Sequence, residues 1–441
     1  MPPPICFDAV VFDLDGTLIA TDRFWIESAE RGARRALAEL GLERALPRPE
    51  QWLALVGLPL DVGFRSLFPD LSEGARLAVL RACVEEEHAL LARSGVPAME
   101  GARELVQDLA ERGLSLGIAS NCQQDYLDHM LDGLGLRERV RGAYCRESQG
   151  IASKADMLAR LLADFGTRSA VMVGDRASDR DAAWENGLPH VHCAFGFAQG
   201  DEAVEAEGRI QALAELGPLL ERRGRWIERA LARLGAFSRA GFRLGVSGGP
   251  GAGKTLFARD AARLVGARGR PAVAVALESF ARPVPEVPGD LPRDALEARI
   301  DLERLARELL QPHEAGREVP LAVPGLGGET SVPAGALLVL EGAELLGAKL
   351  RTGLDRLIHL DLPENVAWRR LAGRARGPEG GERLAVPPSA REALARQRVL
   401  ERRYPPRVAA DLVLDGTNPL GSAARAPEGA RGGLGADPPG R

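Results

Sequence analysis

The chain has 441 residues, 45% hydrophobic and 27% charged, a globular balance that excludes wholesale disorder and allows about three domains of roughly 150 residues. A formal charge of 57 − 62 = −5 argues against a general nucleic-acid binder or a membrane-surface protein. Five scattered cysteines without a CxxC pair exclude a disulfide framework or a structural zinc knot, and no apolar run reaches spanning length, so a cytoplasmic protein without a membrane partner is expected.

Residues 7–12 form an apolar β-type run that ends abruptly in Asp13-Leu14-Asp15-Gly16-Thr17. Apolar residues at helical spacing then fill 21–95 without a convincing strand. Alternation follows, with helix over 102–112, strand over 114–119, helices over 125–134 and 155–165, strand over 170–173, helix over 177–186 and strand over 190–193. Such alternation predicts a parallel sheet wrapped by helices, and a helical block after its first strand predicts an inserted cap. An Arg-rich helix over about 212–239 reads as a solvated linker. A second strand start at 242–246 runs into Ser247-Gly248-Gly249-Pro250-Gly251-Ala252-Gly253-Lys254-Thr255, with further strands at 272–277, 336–340 and 357–360. After Pro419 the chain is Gly, Pro, Ala and Arg without periodicity, which predicts a disordered tail.

Only three of the 57 basic residues are lysine: Lys154, Lys254 and Lys349. A lysine that persists in such an arginine-rich chain marks a slot that needs a compact ammonium, which a guanidinium fork cannot fill. Lys154 and Lys254 stand where phosphate chemistry wants them; Lys349 has no evident role.

In an open parallel sheet, ligands bind beyond the carboxyl ends of the strands. Three predicted strand ends carry polar chemistry, namely Asp13 with Asp15, Ser120-Asn121, and Asp175 with Asp179, and Lys154 opens a helix between them. Gathered together, the carboxylates make a hard oxygen site for Mg²⁺, which offsets the repulsion between a carboxylate and an incoming phosphate. A serine hydroxyl and a lysine ammonium could hold the phosphoryl oxygens. Each motif alone is an acceptable turn or helix cap, but their succession at strand ends favours chemistry. Over residues 5–217 the four motifs resemble the haloacid-dehalogenase-like phosphatases, of the phosphoglycolate-phosphatase kind with a helical cap. The resemblance implies Asp13 as the nucleophile that forms an aspartyl-phosphate, and Asp15 as acid and then base. It implies Mg²⁺ held by Asp13, the Asp15 backbone carbonyl and Asp175, with Asp179 supporting. Ser120 and Lys154 would bind the phosphoryl oxygens, and Thr17 and Asn121 would complete the pocket. The block 21–95 becomes a cap that closes over a phosphorylated small-molecule substrate, with Leu58, Leu60 and Phe64 read as cap packing.

The second constellation, Gly248-x4-Gly253-Lys254-Thr255, follows a predicted strand and opens a predicted helix. Gly248, Gly249, Pro250, Gly251, Ala252 and Gly253 would turn the backbone toward phosphates, Lys254 would reach the β/γ oxygens and Thr255 would ligate Mg²⁺. Lys254-Thr255 decides against a Rossmann reading of the same glycines. Residues 242–416 resemble the uridine kinase and phosphoribulokinase-like branch of P-loop kinases. That resemblance implies ATP as donor, Glu278 as the base for the acceptor hydroxyl where aspartate is usual, and Glu341 near Mg²⁺ or the substrate. It matches Arg369, Arg370, Arg374 and Arg376 to a lid, though these arginines equally fit a solvated helix face. Ala281 stands where an aromatic is usual, and the family's substrate-side tyrosine and histidine elements are absent from 321–330, so nucleotide binding is better founded than uridine as acceptor.

The expected fold is α/β: a Rossmann-like parallel sheet with an inserted helical cap over 1–217 (core 1–20 and 96–217, cap 21–95), a helical linker over 218–240, a second α/β domain of P-loop NTPase type over 241–418, and a tail over 419–441. The expected function joins a Mg²⁺-dependent phosphomonoester phosphatase to an ATP-dependent nucleoside or sugar kinase. The alternative is a phosphatase regulated by a non-catalytic nucleotide-binding module. A nucleic-acid end-processing role fits poorly with the charge and the lack of an aromatic-basic groove. Both substrates and the oligomeric state are left open.

Overall fold

A computed structural model describes residues 5–200, 202, 204–282, 299–322, 329–374, 388–417 and 420–422. Ala9–Phe12 (β1) is buried along its whole length because it lies in the middle of a parallel sheet with both faces covered. It pairs with Ser115–Ala119 (β2) on one side and Ala170–Gly174 (β4) on the other, with Phe12 opposite both Ile118 and Val173. Gly142–Tyr144 (β3), His190–Cys193 (β5) and Gly208–Ile210 (β6) extend the sheet. The intervening helices are Ala102–Glu111 (α5), Gln124–Leu134 (α6), Lys154–Phe165 (α7) and Ala177–Glu185 (α8), each within a few residues of its expected span.

Between β1 and α5 stand the helices Trp25–Glu39 (α1), Pro49–Leu53 (α2), Leu60–Leu67 (α3) and Glu73–Ser94 (α4), the expected cap. Trp25, Trp52, Phe64 and Phe68 fill its centre with ring centroids 5.9–6.5 Å apart. At Gly32 a Cβ would lie 2.4 Å from the Ala82 carbonyl oxygen, so this glycine lets α1 and α4 pack backbone to backbone.

The second sheet is also parallel. Its strands are Arg243–Gly248 (β7), Ala272–Ala276 (β8), Leu337–Glu341 (β11), Arg356–Asp361 (β12) and Leu412–Asp415 (β13), in the order β13-β12-β7-β11-β8. A separate antiparallel hairpin, Val319–Ala322 (β9) with Glu329–Val332 (β10), was not expected from the sequence. Lys254–Gly266 (α10) follows the glycine-rich loop.

Two expectations are corrected. The Arg-rich helix, Leu216–Arg233 (α9), is no solvated linker: Leu216, Leu219 and Leu220 join the first core, and Ile227, Ala230 and Leu231 join the second. Arg223 itself is 2% exposed and pairs with the buried Asp260 of α10 at 2.5 Å. The tail also departs from expectation at its start, where Gly421–Ser422 (β14) pairs with β6 of the first sheet and Leu420 is buried in the first core. The rest of the tail lies outside the described residues.

Breaking one half of a buried ion pair leaves the other charge uncompensated, at a cost of about 3–5 kcal/mol. Asp260→Ala is therefore expected to lower stability by about that amount in urea unfolding, and Arg223→Met with Asp260→Leu to recover most of the loss. An equal loss in single and double variants would show that the pair does not join the domains as described.

Candidate active site

The strand ends of the first sheet bring Asp13, Asp175 and Asp179 together, one carboxylate oxygen of each lying within 4.8 Å of the others. All three are buried. The backbone makes room for them: a Cβ at Gly196 would stand 2.2 Å from Asp175 Cβ, and one at Gly16, whose φ is +78°, 2.5 Å from Asp175 Oδ2. Phe197 N donates to Asp175 Oδ2, and Arg176 N donates to Asp179 Oδ2 at 2.8 Å. Lys154 Nζ bridges the cluster, 2.8 Å from Asp13 Oδ1 and 2.5 Å from Asp179 Oδ1.

One ammonium cannot balance three buried carboxylates. Burial pushes the Asp13 carboxyl up, with Lys154 pulling against it. Burial, together with the charges of Asp13 and Asp179, pushes Asp175 well above the usual range. Burial works to lower Lys154, but Asp13 and Asp179 raise it on balance. Asp13 Oδ2 and Asp175 Oδ1 have no hydrogen-bond partner. Orphaned buried oxygens in a cluster of unbalanced negative charge fit a hard divalent cation such as Mg²⁺, which takes carboxylate ligands.

Asp15 faces the cap. Thr21 Oγ1 donates to its Oδ1 at 2.7 Å and Tyr126 OH to the same oxygen at 2.6 Å. Burial pushes its carboxyl up to about 6, with the Tyr126 hydrogen bond opposing and the Asp13 charge assisting. Asp15, Ser120 and Asn121 line a cavity of about 60 Å³ between cap and core, together with Trp25, Tyr126 and Glu87. Thr17 is buried beneath the cluster and its hydroxyl is unpartnered.

Asn121 was expected to complete the phosphate pocket, but its amide donates to the carbonyl of Gly57 in the cap at 3.0 Å. Arg176 donates to the Val56 carbonyl and, at 2.9 Å, to Glu202. Both hold the cap against the core. Leu58 and Leu60, expected to be packing alone, line the cavity, whereas Phe64 is packed as expected. Sequence reading missed Thr21, Tyr126, Arg176 and Glu87. Arg176 stands beside Asp175 and was within reach of a motif reading; the others carry no local signal.

At the second site, Lys254 Nζ donates to the Gly249 carbonyl at 3.0 Å, and Thr255 Oγ1 donates to Glu341 Oε1 at 2.8 Å. Glu341 is buried at the end of β11, beside β7, so Thr255 meets an acidic strand end. Gly251 and Gly253, with φ of +77° and +83°, take the left-handed turns that fold the loop over the start of α10. Glu278 does not converge: its side chain is 79% exposed and lies 3.6 Å from Arg299. Arg369 pairs with Glu205. Arg370 donates to the carbonyls of Gly251 at 3.0 Å and Thr417 at 2.8 Å, and its Nε lies 3.1 Å from Glu207 of the first domain. Arg369 lies on an exposed face, the alternative that was weighed, whereas Arg370 is buried. The side chain of Arg374, and all of Arg376, lie outside the described residues. A cleft of about 510 Å³ joins Gly251, Lys254, Thr255 and Arg370 to Arg168, Trp184 and Glu207 across the domain junction. No described helix is long and apolar enough to cross a membrane.

Residues 10–192 match the family described as haloacid dehalogenase-like hydrolase. The chain is 31% identical over 199 residues to tyrosine-protein kinase PtkA of Mycobacterium tuberculosis, covering 44% of this chain and 64% of that protein, so it spans less than two thirds of that relative. It is 28% identical over 229 residues to phosphoglycolate phosphatase of Rhodospirillum rubrum, covering 50% of this chain and 90% of that protein. A solved structure described as a predicted phosphoglycolate phosphatase from Haemophilus somnus aligns over 48% of this chain and 98% of its own, with 18% identity and a TM-score of 0.43.

Proposed function

We propose that this chain, whose N-terminal half is a haloacid-dehalogenase-like phosphatase domain, hydrolyses small phosphomonoesters through Asp13 and also transfers phosphate from ATP to an alcohol group at its glycine-rich loop. The observation that carries the first activity is the buried cluster of Asp13, Asp175 and Asp179 bridged by Lys154. Asp13 attacks phosphorus with its unpartnered Oδ2, and an aspartyl-phosphate forms as the bond to the leaving oxygen breaks. Thr21 and Tyr126 both donate to Asp15 Oδ1, which leaves Oδ2 to carry the proton. Asp15 gives that proton to the leaving oxygen and then takes one from the water that hydrolyses the intermediate, a task suited to a carboxyl pushed up to about 6. Lys154 and Ser120 hold the phosphoryl oxygens. Mg²⁺ bound by Asp13, Asp175 and Asp179 would supply the positive charge that lets a carboxylate approach a phosphate dianion. The cap, fastened through Asn121 and Arg176, keeps bulk water out.

The kinase reading draws support from Lys254, from the Thr255–Glu341 hydrogen bond and from the placement of both after a central strand, the arrangement a P-loop requires. Glu278, as the acceptor's base, has to turn in from solvent. Two assays test the pair of activities: Mg²⁺-dependent phosphate release from phosphomonoesters, and ADP formation that appears only when an alcohol acceptor is added. ADP formed without any acceptor requirement would remove the kinase.

The junction cleft favours a second reading, in which the nucleotide regulates the phosphatase. Glu207 accepts from Trp184 Nε1 at 3.2 Å, and Trp184 is on α8, whose other end carries Asp179. A triphosphate on the loop competes with Glu207 for Arg370, and so acts on the helix that positions the carboxylate cluster. Under this reading ATP changes phosphatase kcat/KM by about 5-fold or more. Glu207→Gln is then expected to bind ATP with little change, measured by calorimetry, while the effect on the phosphatase disappears. An ATP effect that survives in Glu207→Gln removes this route.

A further inference from the structure

The leaving-group side of the phosphatase cavity has an unusual charge. Its core wall presents Asp15, and its cap wall presents Glu87 from α4; the apolar Trp25, Leu55, Leu58 and Leu60 and the uncharged polar Ser120, Asn121 and Gln123 complete most of it. Glu87 is 5% exposed and lines the cavity, and its carboxyl oxygens open onto that space with no hydrogen bond or ion pair seen among the described residues. Among the described residues no arginine or lysine lines this space, and His88 is the one basic side chain that does. The nearby Arg176 is committed to Val56 and Glu202. A buried carboxyl without a partner is costly unless a ligand completes it. Burial and the Asp15 charge push Glu87 well above the usual carboxyl range, and a cationic or hydroxyl donor on the ligand would draw it back toward its charged form.

A leaving group that carries a carboxylate or a second phosphate would enter this space facing two carboxyl groups, with no guanidinium or ammonium to receive it. A hydroxyl or ammonium on the leaving group would instead donate to Glu87 and remove its desolvation cost. We propose that Glu87 selects the substrate: the site takes phosphomonoesters of small uncharged or cationic alcohols that carry a second hydrogen-bond donor, and rejects esters whose leaving group is anionic. This rests on the phosphatase reading and deepens it. It also separates this chain from the activity named for its Rhodospirillum relative, because phosphoglycolate leaves as a carboxylate.

The test measures kcat/KM with Mg²⁺ for glycerol 1-phosphate, phosphoethanolamine, 2-phosphoglycolate and ethyl phosphate. The full-length protein is compared with Glu87→Gln and Glu87→Lys. In the wild type, glycerol 1-phosphate or phosphoethanolamine should exceed 2-phosphoglycolate by about 100-fold or more, since a site built for a donor rejects a ligand that leaves it unpaired. Which of the two leads identifies the donor as hydroxyl or ammonium. Glu87→Lys should shift the ratio toward 2-phosphoglycolate by at least about 100-fold, mostly through KM, and Glu87→Gln should shift it less. A wild-type preference for 2-phosphoglycolate, or a ratio unmoved in both variants, would overturn the proposal. If no ester, including ethyl phosphate, is hydrolysed, the phosphatase reading itself falls and the proposal with it; hydrolysis with the wrong ranking sinks the proposal alone.

Discussion

Asp13→Asn is expected to abolish phosphate release from every phosphomonoester, with a loss on the order of 10⁴-fold or more, while the protein stays folded. The nucleophile is the one group whose removal leaves no bond to form. An amide is nearly the size of a carboxylate, so the packing around β1 is undisturbed, but its nitrogen cannot attack phosphorus. The stability change follows from charge. The substitution removes one of three buried carboxylates, and burial already pushes Asp13 and Asp175 toward protonation, so the loss of this charge relieves repulsion within the cluster. Lys154 loses one partner and keeps Asp179 at 2.5 Å. The thermal midpoint without metal should therefore hold, and the rise on adding Mg²⁺ should shrink, because one of the three ligands is gone. Intact mass after mixing with substrate gives a second check: the variant cannot carry a covalent phosphate. If it retains activity within tenfold of the wild type, Asp13 is not the nucleophile, and the cluster has some other purpose.

The strand ends were legible because each buried strand is a short apolar run that stops at a polar residue, so the sequence itself marks where the sheet ends. Asp13 and Asp175 are marked on that basis, and Lys154 by the scarcity of lysine and its place at a helix start. What escaped lies in contacts between distant segments. Tyr126 reads as an ordinary residue of an amphipathic helix, and nothing near it announces Asp15, 111 positions away. Glu87 closes the run Glu85-Glu86-Glu87-His88, which looks like a solvated face until α4 turns that one carboxyl inward. Arg223 was read as surface for the same reason, although its partner Asp260 is 37 residues on. Strands β3 and β6 have three residues each, too few for a periodicity to register. Arg370 was expected over a nucleotide, yet it holds the loop and Glu207 together, a role that depends on where the first domain lies.

Lys254→Ala is expected to weaken ATP binding by about 100-fold or more, because an ammonium bound to phosphate oxygens contributes through several charge-assisted hydrogen bonds, and an alanine leaves that charge unmet. The more decisive substitution is Lys254→Arg. In a chain with three lysines among 57 basic residues, arginine would stand at this position if any cation sufficed. The ammonium fits within the loop, 3.0 Å from the Gly249 carbonyl, whereas a planar fork is larger and fixed in direction. Arginine should therefore bind ATP at least about tenfold more weakly than lysine, despite carrying the same charge. Calorimetry on both variants reads this directly. Binding at wild-type strength in Lys254→Ala would mean that the loop does not hold phosphate. The transfer step is best read in the Asp13→Asn background, since an active phosphatase in the same chain could erase the kinase's product. In that background a phosphorylated alcohol should accumulate with ATP and Mg²⁺, and should vanish when Lys254→Ala is added. If ATP binds through Lys254 and still no acceptor is phosphorylated, the loop is a sensor, and the Arg370–Glu207 contact becomes the path by which it speaks to the phosphatase.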